Sequence, residues 1–440
     1  MNKTEPKTLS GFMELMPNEQ IMFNKIKDTI IETYKSYGFY PLDTPVIEYS
    51  SVLLAKAGGE TEKQIYRFEK GDNDLSLRFD LTVPLAKYVA KRYNDLVFPF
   101  KRYQVGKVFR GERPQKGRFR EFYQCDIDII GDEELSLKYD SEIIAIINDI
   151  FTKLDLGKFV VRINNRKILS GFFESLGLED KVTDILRIVD KLDKIGKEEV
   201  IEILKEFNIS EDKVNTIIDF ISLSGSTNEK LNKLKNYNIN NETFKLGVSE
   251  LESVIIDLES RSVNPNNYMI DISIARGLDY YTGTVYETIL TDYPGIGSVC
   301  SGGRYENLAE YYTDKKLPGV GVSIGLTRLF YQLIEAGIIK IDNATPSELI
   351  ILPMTENYKY VYDINNLLRS YGVNTDICYL DKGFKQKMKY ANKMGNKYIA
   401  IIGDNEVENN TIVLKNMISG EQLELGKDNL VNIDKMISWL

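Results

Sequence analysis

The chain has 440 residues and a net charge of −9, from 56 Lys and Arg against 65 Asp and Glu, and it contains no histidine. That absence excludes Ser–His–Asp triads, Cys–His dyads and HExxH zinc sites, and the wide spacing of Cys125, Cys300 and Cys378 excludes CxxC-type metal sites. With 43% hydrophobic and 28% charged residues, the composition is that of a globular chain rather than a fibrous or disordered one, of about three domains at roughly 150 residues each.

Sparse, odd cysteine fits a reducing, cytoplasmic setting. The N-terminal MNKTEPKTLSGF lacks an apolar core, and no run reaches the roughly 18 apolar residues of a membrane span. Neither a secretory signal nor a membrane partner is expected. The acidic balance opposes indiscriminate nucleic-acid binding but leaves room for a local basic patch.

Phe23, Ile26, Ile30, Ile31 and Tyr34 recur at helical spacing between Pro17 and Gly38. Pro41 and Pro45 then force an extended segment, GFYPLDTPVIEY. A second helix is predicted over Thr82 to Tyr93. Residues 100–130 read as a long antiparallel hairpin, with FKRYQVGKVFR and FREFYQCDIDII as arms and GERPQKGR as the tip. A strand is predicted at KFVVRIN. From about 166 to 260 the pattern is amphipathic helix with almost no strand signal, so this reads as a helical insertion. Strand-type sequence resumes at NYMIDISIARGLDYYTGTVYETIL, a Gly-rich SVCSGGRYENL follows, and PGVGVSIGLTRLFYQLI reads as strand into helix. Residues 331–345 are read as a linker. Beyond it, strand and helix alternate as in a small, mostly parallel α/β domain.

No GxxxxGKS/T loop exists, and the glycines at 319, 321 and 325 have the wrong spacing for GxGxxG. Anion chemistry therefore falls to arginines, whose planar fork suits phosphates and carboxylates. Arg110 ends one hairpin arm; Arg113, Lys116, Arg118 and Arg120 surround the tip; Arg276 precedes Gly277; Arg328 lies where a strand passes into a helix. Taken singly, each is equally a surface arginine.

Taken together, the segments resemble the class II aminoacyl-tRNA synthetases. GFYPLDTPVIE is similar to their motif 1, FRGERPQKGRFREFYQCDIDIIG to motif 2, and GVGVSIGLTRLF to motif 3. ARGLDYYTGTVYE and SGGRYENL resemble signatures of the histidyl-tRNA synthetase family. The resemblance spans nearly the whole chain. It implies an α+β fold: a class II core, residues 1–330, built on a six- or seven-stranded antiparallel sheet with the helical insertion at 166–260, the linker at 331–345, and a C-terminal α/β anticodon-binding domain at 346–440. It further implies a homodimer with Pro45 at the interface, ATP as a substrate, Mg²⁺ with unassigned ligands, and L-histidine and tRNA(His) as partners.

By the same resemblance, Arg110 bridges the substrate carboxylate and the α-phosphate, Arg276 approaches that phosphate from the opposite side, and Arg328 meets the γ-phosphate. Glu112 and Arg118 match positions that contact ATP. Asp80, Leu81 and Thr82, in RFDLT, and Gln124 match the α-amino site. Asp128 and Tyr281 match the imidazole readers, and Tyr280 and Tyr305 the pocket walls, although one of Tyr280 and Tyr281 is equally a core strand residue. Asp at 80 and 128 departs from the Glu of many bacterial members, while GERPQKGR is of the bacterial type. Thr327 stands where an acidic residue is usual. Lys382, Lys385, Lys389 and Lys393 form a stripe that is either a solvated face or a tRNA contact. The competing reading is a non-catalytic paralogue, either a regulatory subunit of histidine biosynthesis or a sensor of uncharged tRNA.

Overall fold

The computed structural model describes residues 3–55, 60–113, 117–189, 192–274, 281–307, 309–341 and 345–433. In chain order its strands are β1 (Tyr40–Pro41), β2 (Ile47–Tyr49), β3 (Arg67–Lys70), β4 (Asn73–Leu77), β5 (Phe100–Phe109), β6 (Glu121–Ile130), β7 (Phe159–Asn165), β8 (Tyr268–Ile270), β9 (Tyr281–Leu290), β10 (Ser298–Tyr305), β11 (Gly319–Gly325), β12 (Leu349–Met354), β13 (Thr375–Ile377), β14 (Tyr398–Gly403), β15 (Thr411–Asn416) and β16 (Gln422–Gly426). By chain contacts there are two compact units, Met1–Met13 with Ile26–Ile338, and Glu14–Lys25 with Ile339–Leu440. No helix among the described residues is long and apolar enough to cross a membrane.

The first unit is built on an eight-stranded sheet ordered β1-β5-β6-β11-β10-β9-β7-β8. Its six central strands pair antiparallel, and the short edge strands β1 and β8 pair parallel to β5 and β7. The six antiparallel strands match the expected six or seven, and the two parallel edge strands bring the sheet to eight. On β6 the period of two is explicit: Cys125, Ile127 and Ile129 are buried among apolar side chains, while Gln124, Asp126 and Asp128 line a cavity. Tyr34, from the first helix (Pro17–Ser36), donates its hydroxyl to the Cys125 carbonyl at 3.0 Å.

Among its described residues, the predicted insertion, Arg166 to Ser260, consists of helices joined by short connections. Its first and last helices, Arg166–Ser175 and Glu242–Ser260, pack closely because each has a glycine at the crossing. A Cβ on Gly171 would overlap the Phe244 backbone, and one on Gly247 would lie 2.7 Å from the Ile168 nitrogen. Phe172 and Phe220 stack at 3.8 Å between ring centres, giving the insertion an aromatic core of its own.

In the second unit β13, β12 and β14 are parallel, and β15 and β16 add an antiparallel edge. That edge makes the sheet more mixed than the alternation suggested. Both faces of β12 are apolar: Leu349 and Ile351 join the core under the helix Tyr358–Ser370, and Ile350 and Leu352 meet Ala391 of the helix Phe384–Met394. A strand covered on both faces reads as the continuous apolar run ELIILPM. The segment 331–345 is not all linker, because the helix Leu326–Glu335 runs through its first five residues and buries Leu333.

Candidate active site

A cavity of about 450 Å³ lies on the face of the large sheet that carries Gln124, Asp126 and Asp128. The structure brings Asp80, Thr82, Arg110, Glu112, Arg118, Gln124, Asp128, Tyr281, Tyr305 and Arg328 to its walls. Leu81 is not among them: it is fully buried beneath the site, at the start of the helix Thr82–Arg92. Arg276 and Tyr280 lie outside the described residues, as does Lys116 at the hairpin tip.

At one end of the cavity sits the arginine that closes the first hairpin arm. The guanidinium carbon of Arg110 lies 4.4 Å from the Phe79 ring centre and 5.1 Å from that of Phe122, and Nε donates to the Phe79 carbonyl at 3.3 Å. A cation packed between two rings is held in a defined place on the cavity wall. Beyond it, Arg118 and Glu112 pair at 3.7 Å, and Arg328 donates to the Ile296 carbonyl at 3.3 Å. The Thr327 hydroxyl accepts from the Tyr123 backbone N–H at 2.8 Å, locking the Arg328 helix onto β6. A threonine at this position therefore ties helix to strand rather than pairing an ion.

At the other end is buried charge. Asp128 receives Arg102 at 2.6 Å and the Tyr305 hydroxyl at 3.0 Å. Burial pushes Asp128 up to about 6, against the pull of Arg102 and Tyr305. Two glycines make room for this pair: a Cβ on Gly321 would overlap the Asp128 carboxylate, and one on Gly319 would overlap the Tyr305 ring. Tyr281 faces Tyr305 across the β9–β10 register. Asp80 accepts from the Val83 N–H at 2.9 Å, so one carboxylate both caps a helix and lines the cavity. Its pKa is raised by burial, opposed by that bond and by Arg110.

Sequence reasoning missed Arg102, Asp126 and Ser323. Arg102 is completely buried and draws down the pKa values of Asp80, Asp126 and Asp128. Strand parity could have found Asp126, since Gln124 and Asp128 were already assigned to the same face. The Arg304 of SGGRYENL is structural: it grips Asp140 and donates to the Leu135 and Ser136 carbonyls at 3.1 and 2.9 Å.

Residues 11–329 match the family model for histidyl-tRNA synthetase, and residues 348–436 that for an anticodon binding domain. The chain belongs to the histidyl-tRNA synthetase family. It is 53% identical to the histidine–tRNA ligase of Clostridium tetani over 98% of both chains, and 49% identical to that of Finegoldia magna over 96% of this chain and 98% of the other. The crystal structure of histidyl-tRNA synthetase from Nostoc sp. PCC 7120 superposes with a TM-score of 0.92 at 42% identity, covering 99% of this chain and all of the other. A Bacillus halodurans structure described as an ATP phosphoribosyltransferase regulatory subunit/histidyl-tRNA synthetase, 19% identical with a TM-score of 0.74, shares the fold alone. The activity follows from the full-length relatives: this member of the family joins histidine to tRNA at the expense of ATP.

Proposed function

We propose that the cavity holds histidine at the Asp128 end and ATP at the Arg110–Arg328 end, and that the reaction runs through histidyl-adenylate. The observation that carries this reading is that Asp128, with Tyr305 and Arg102 around it, lines one cavity with Arg110. A histidine carboxylate oxygen attacks the α-phosphorus, the bond to pyrophosphate breaks, and the terminal ribose hydroxyl of tRNA(His) then displaces AMP. Neither step needs a protein nucleophile. Both need charge stabilisation and alignment, which Arg110 is oriented to supply. Arg276 takes the opposite side of the α-phosphate by resemblance to the family.

A neutral imidazole carries one donor and one acceptor. Asp128 accepts the donor, and the Tyr281 hydroxyl serves the second nitrogen. Asp80, Thr82 and Gln124 meet the α-ammonium group. Such a site rejects apolar side chains by leaving its own polar groups unpaired. Glu112, a carboxylate on the cavity wall, fits the single protein ligand that Mg²⁺ would take as a companion of the ATP phosphates. Bound there, it would neutralise phosphate charge.

We infer a cytoplasmic homodimer. Tyr40, Val46, Ile47 and Tyr49, all exposed and apolar, flank the exposed Pro45 and support an interface at motif 1. Lys382, Lys385, Lys389 and Lys393 are exposed, with Lys382 ahead of the helix and the other three on it. They support a phosphate contact to tRNA, whereas Lys387 is buried and donates to the Pro353 carbonyl.

The test is ATP–pyrophosphate exchange with each of the twenty amino acids. Exchange with histidine alone, falling about 10²–10³-fold in Arg110→Ala and in Arg276→Ala, is expected. Exchange untouched by both substitutions would overturn the assigned roles. Because the chain has no histidine, the imidazole NMR signals of a complex belong to the substrate alone. Their titration is expected to show a raised imidazole pKa that returns toward about 6.5 in Asp128→Asn.

A further inference from the structure

Asp126 sits on β6 between two residues with assigned partners, and the reaction as described gives it nothing to do. It is 3% exposed, lines the cavity, and its Oδ1 has no hydrogen-bond partner among the described residues. Ser323 is its cross-strand neighbour in the β6–β11 register, lines the same cavity, and helps to draw the Asp126 pKa down. The same Ser323 oxygen accepts from Gln124 Nε2 at 2.8 Å. Gln124 Oε1 is left buried and without a partner.

A carboxamide has a donor end and an acceptor end of nearly equal shape, so its neighbours decide which way it turns. Ser323 has one proton. While Asp126 is ionised, that proton is drawn to the carboxylate, the oxygen remains an acceptor, and Gln124 must offer it N–H. The Gln124 oxygen is then the end left for the ligand. Without a carboxylate at 126, the Ser323 proton is equally free to go to Gln124 Oε1, and the amide can turn its N–H groups toward the substrate, where they would repel an ammonium.

We propose that Ser323 and Asp126 are a positioning pair that holds the Gln124 carboxamide with Oε1 toward the α-ammonium group of histidine. The inference rests on the reading that Gln124 meets that group. The groups facing Asp126 are Arg102 and Gln104 from β5, Asp128 on its own strand, Asp80 from the loop before the helix Thr82–Arg92, and Cys125, Cys300 and Tyr34 behind. Burial, with Arg102 and Ser323 opposing it, pushes Asp126 up to about 7. The pair is therefore fully set above that pH and is lost as Asp126 takes up a proton below it.

The experiment measures exchange kinetics of the full chain carrying Ser323→Ala or Asp126→Asn. In each, KM for histidine is expected to rise about tenfold, while kcat and KM for ATP stay as in wild type. The ratio of variant to wild-type KM should be largest near pH 8 and shrink toward one below about pH 6; taking a ratio cancels the titration of the substrate imidazole. Imidazolepropionate, which lacks the α-amino group, should inhibit wild type and both variants with one Ki. A Ki rising in step with the histidine KM, or KM for ATP rising alongside it, would mean a packing role and overturn the proposal. So would an unchanged histidine KM in both variants. Gln124→Ala tests the underlying reading separately: it should raise KM for histidine, and Ser323→Ala should then add nothing.

Discussion

The two sheets of this protein solve opposite problems. The central strands of the C-terminal sheet, β12 and β14, are apolar on both faces, and the exposed lysines Lys385, Lys389 and Lys393 ride on a helix outside them. The catalytic sheet buries charge in its middle: Arg102 at 0% exposure, Asp126 at 3% and Asp128 at 4%. Apolar burial stabilises by itself. Buried charge stabilises only while every partner stays in place, and on β6 it lines the cavity.

The sharpest way to break this contrast is Arg102→Met. It leaves buried carboxylates without their cation and should destabilise the catalytic unit by about 3–5 kcal/mol. The sign with pH is fixed. Removing Arg102 raises the native carboxylate pKa values further above the unfolded ones, so the native state holds more protons and the loss grows from pH 5 to pH 8. Urea titrations at both pH values check this. Ile351→Ala, in the C-terminal core, should cost about 2–5 kcal/mol with no such pH dependence. Equal pH dependence in the two variants would remove the distinction between the sheets.

Gly321→Ala tests the space beside the buried carboxylate. The added Cβ overlaps Asp128, and kcat/KM for histidine should fall about 100-fold with little change in KM for ATP. Tyr305→Phe removes a single hydrogen bond to Asp128, for a loss in kcat/KM of about tenfold. The smallest effect belongs to the exposed helix. Lys385, Lys389 and Lys393 changed together to Ala should raise KM for tRNA a few-fold, flatten its dependence on salt, and leave exchange untouched. A change in exchange would contradict the lysines' placement outside the chemistry.

The sequence disclosed most of the elements because their signals are local. Pro17 and Gly38 bracket the first helix, and the turn residues of GERPQKGR set the β5–β6 hairpin. The family motifs disclosed ten cavity residues. Arg102 stayed hidden because nothing in FKRYQVGKVFR tells a fully buried arginine from a solvated one; its burial depends on β6 lying beside it. Arg304 was hidden for a similar reason, since Asp140 is 164 residues away. The β15–β16 edge escaped because its pairing runs through a turn at Gly420, with φ of +81°, that the strand–helix alternation gave no reason to expect. Leu81 shows the opposite error: a motif position was carried over whole, although the middle residue of Asp80-Leu81-Thr82 turns into the core.

Strand β11 has a consequence for how the protein is made. It lies between β6 and β10, yet it is the last of the eight strands in the chain. Until residue 325 has left the ribosome, β6 and β10 each carry an open row of backbone donors and acceptors, an invitation to pair with another chain. The cavity likewise lacks Gly321 and Ser323 until then. A growing chain is thus most exposed to aggregation just before it becomes able to bind its amino acid, and this late closure makes free histidine a natural additive for refolding.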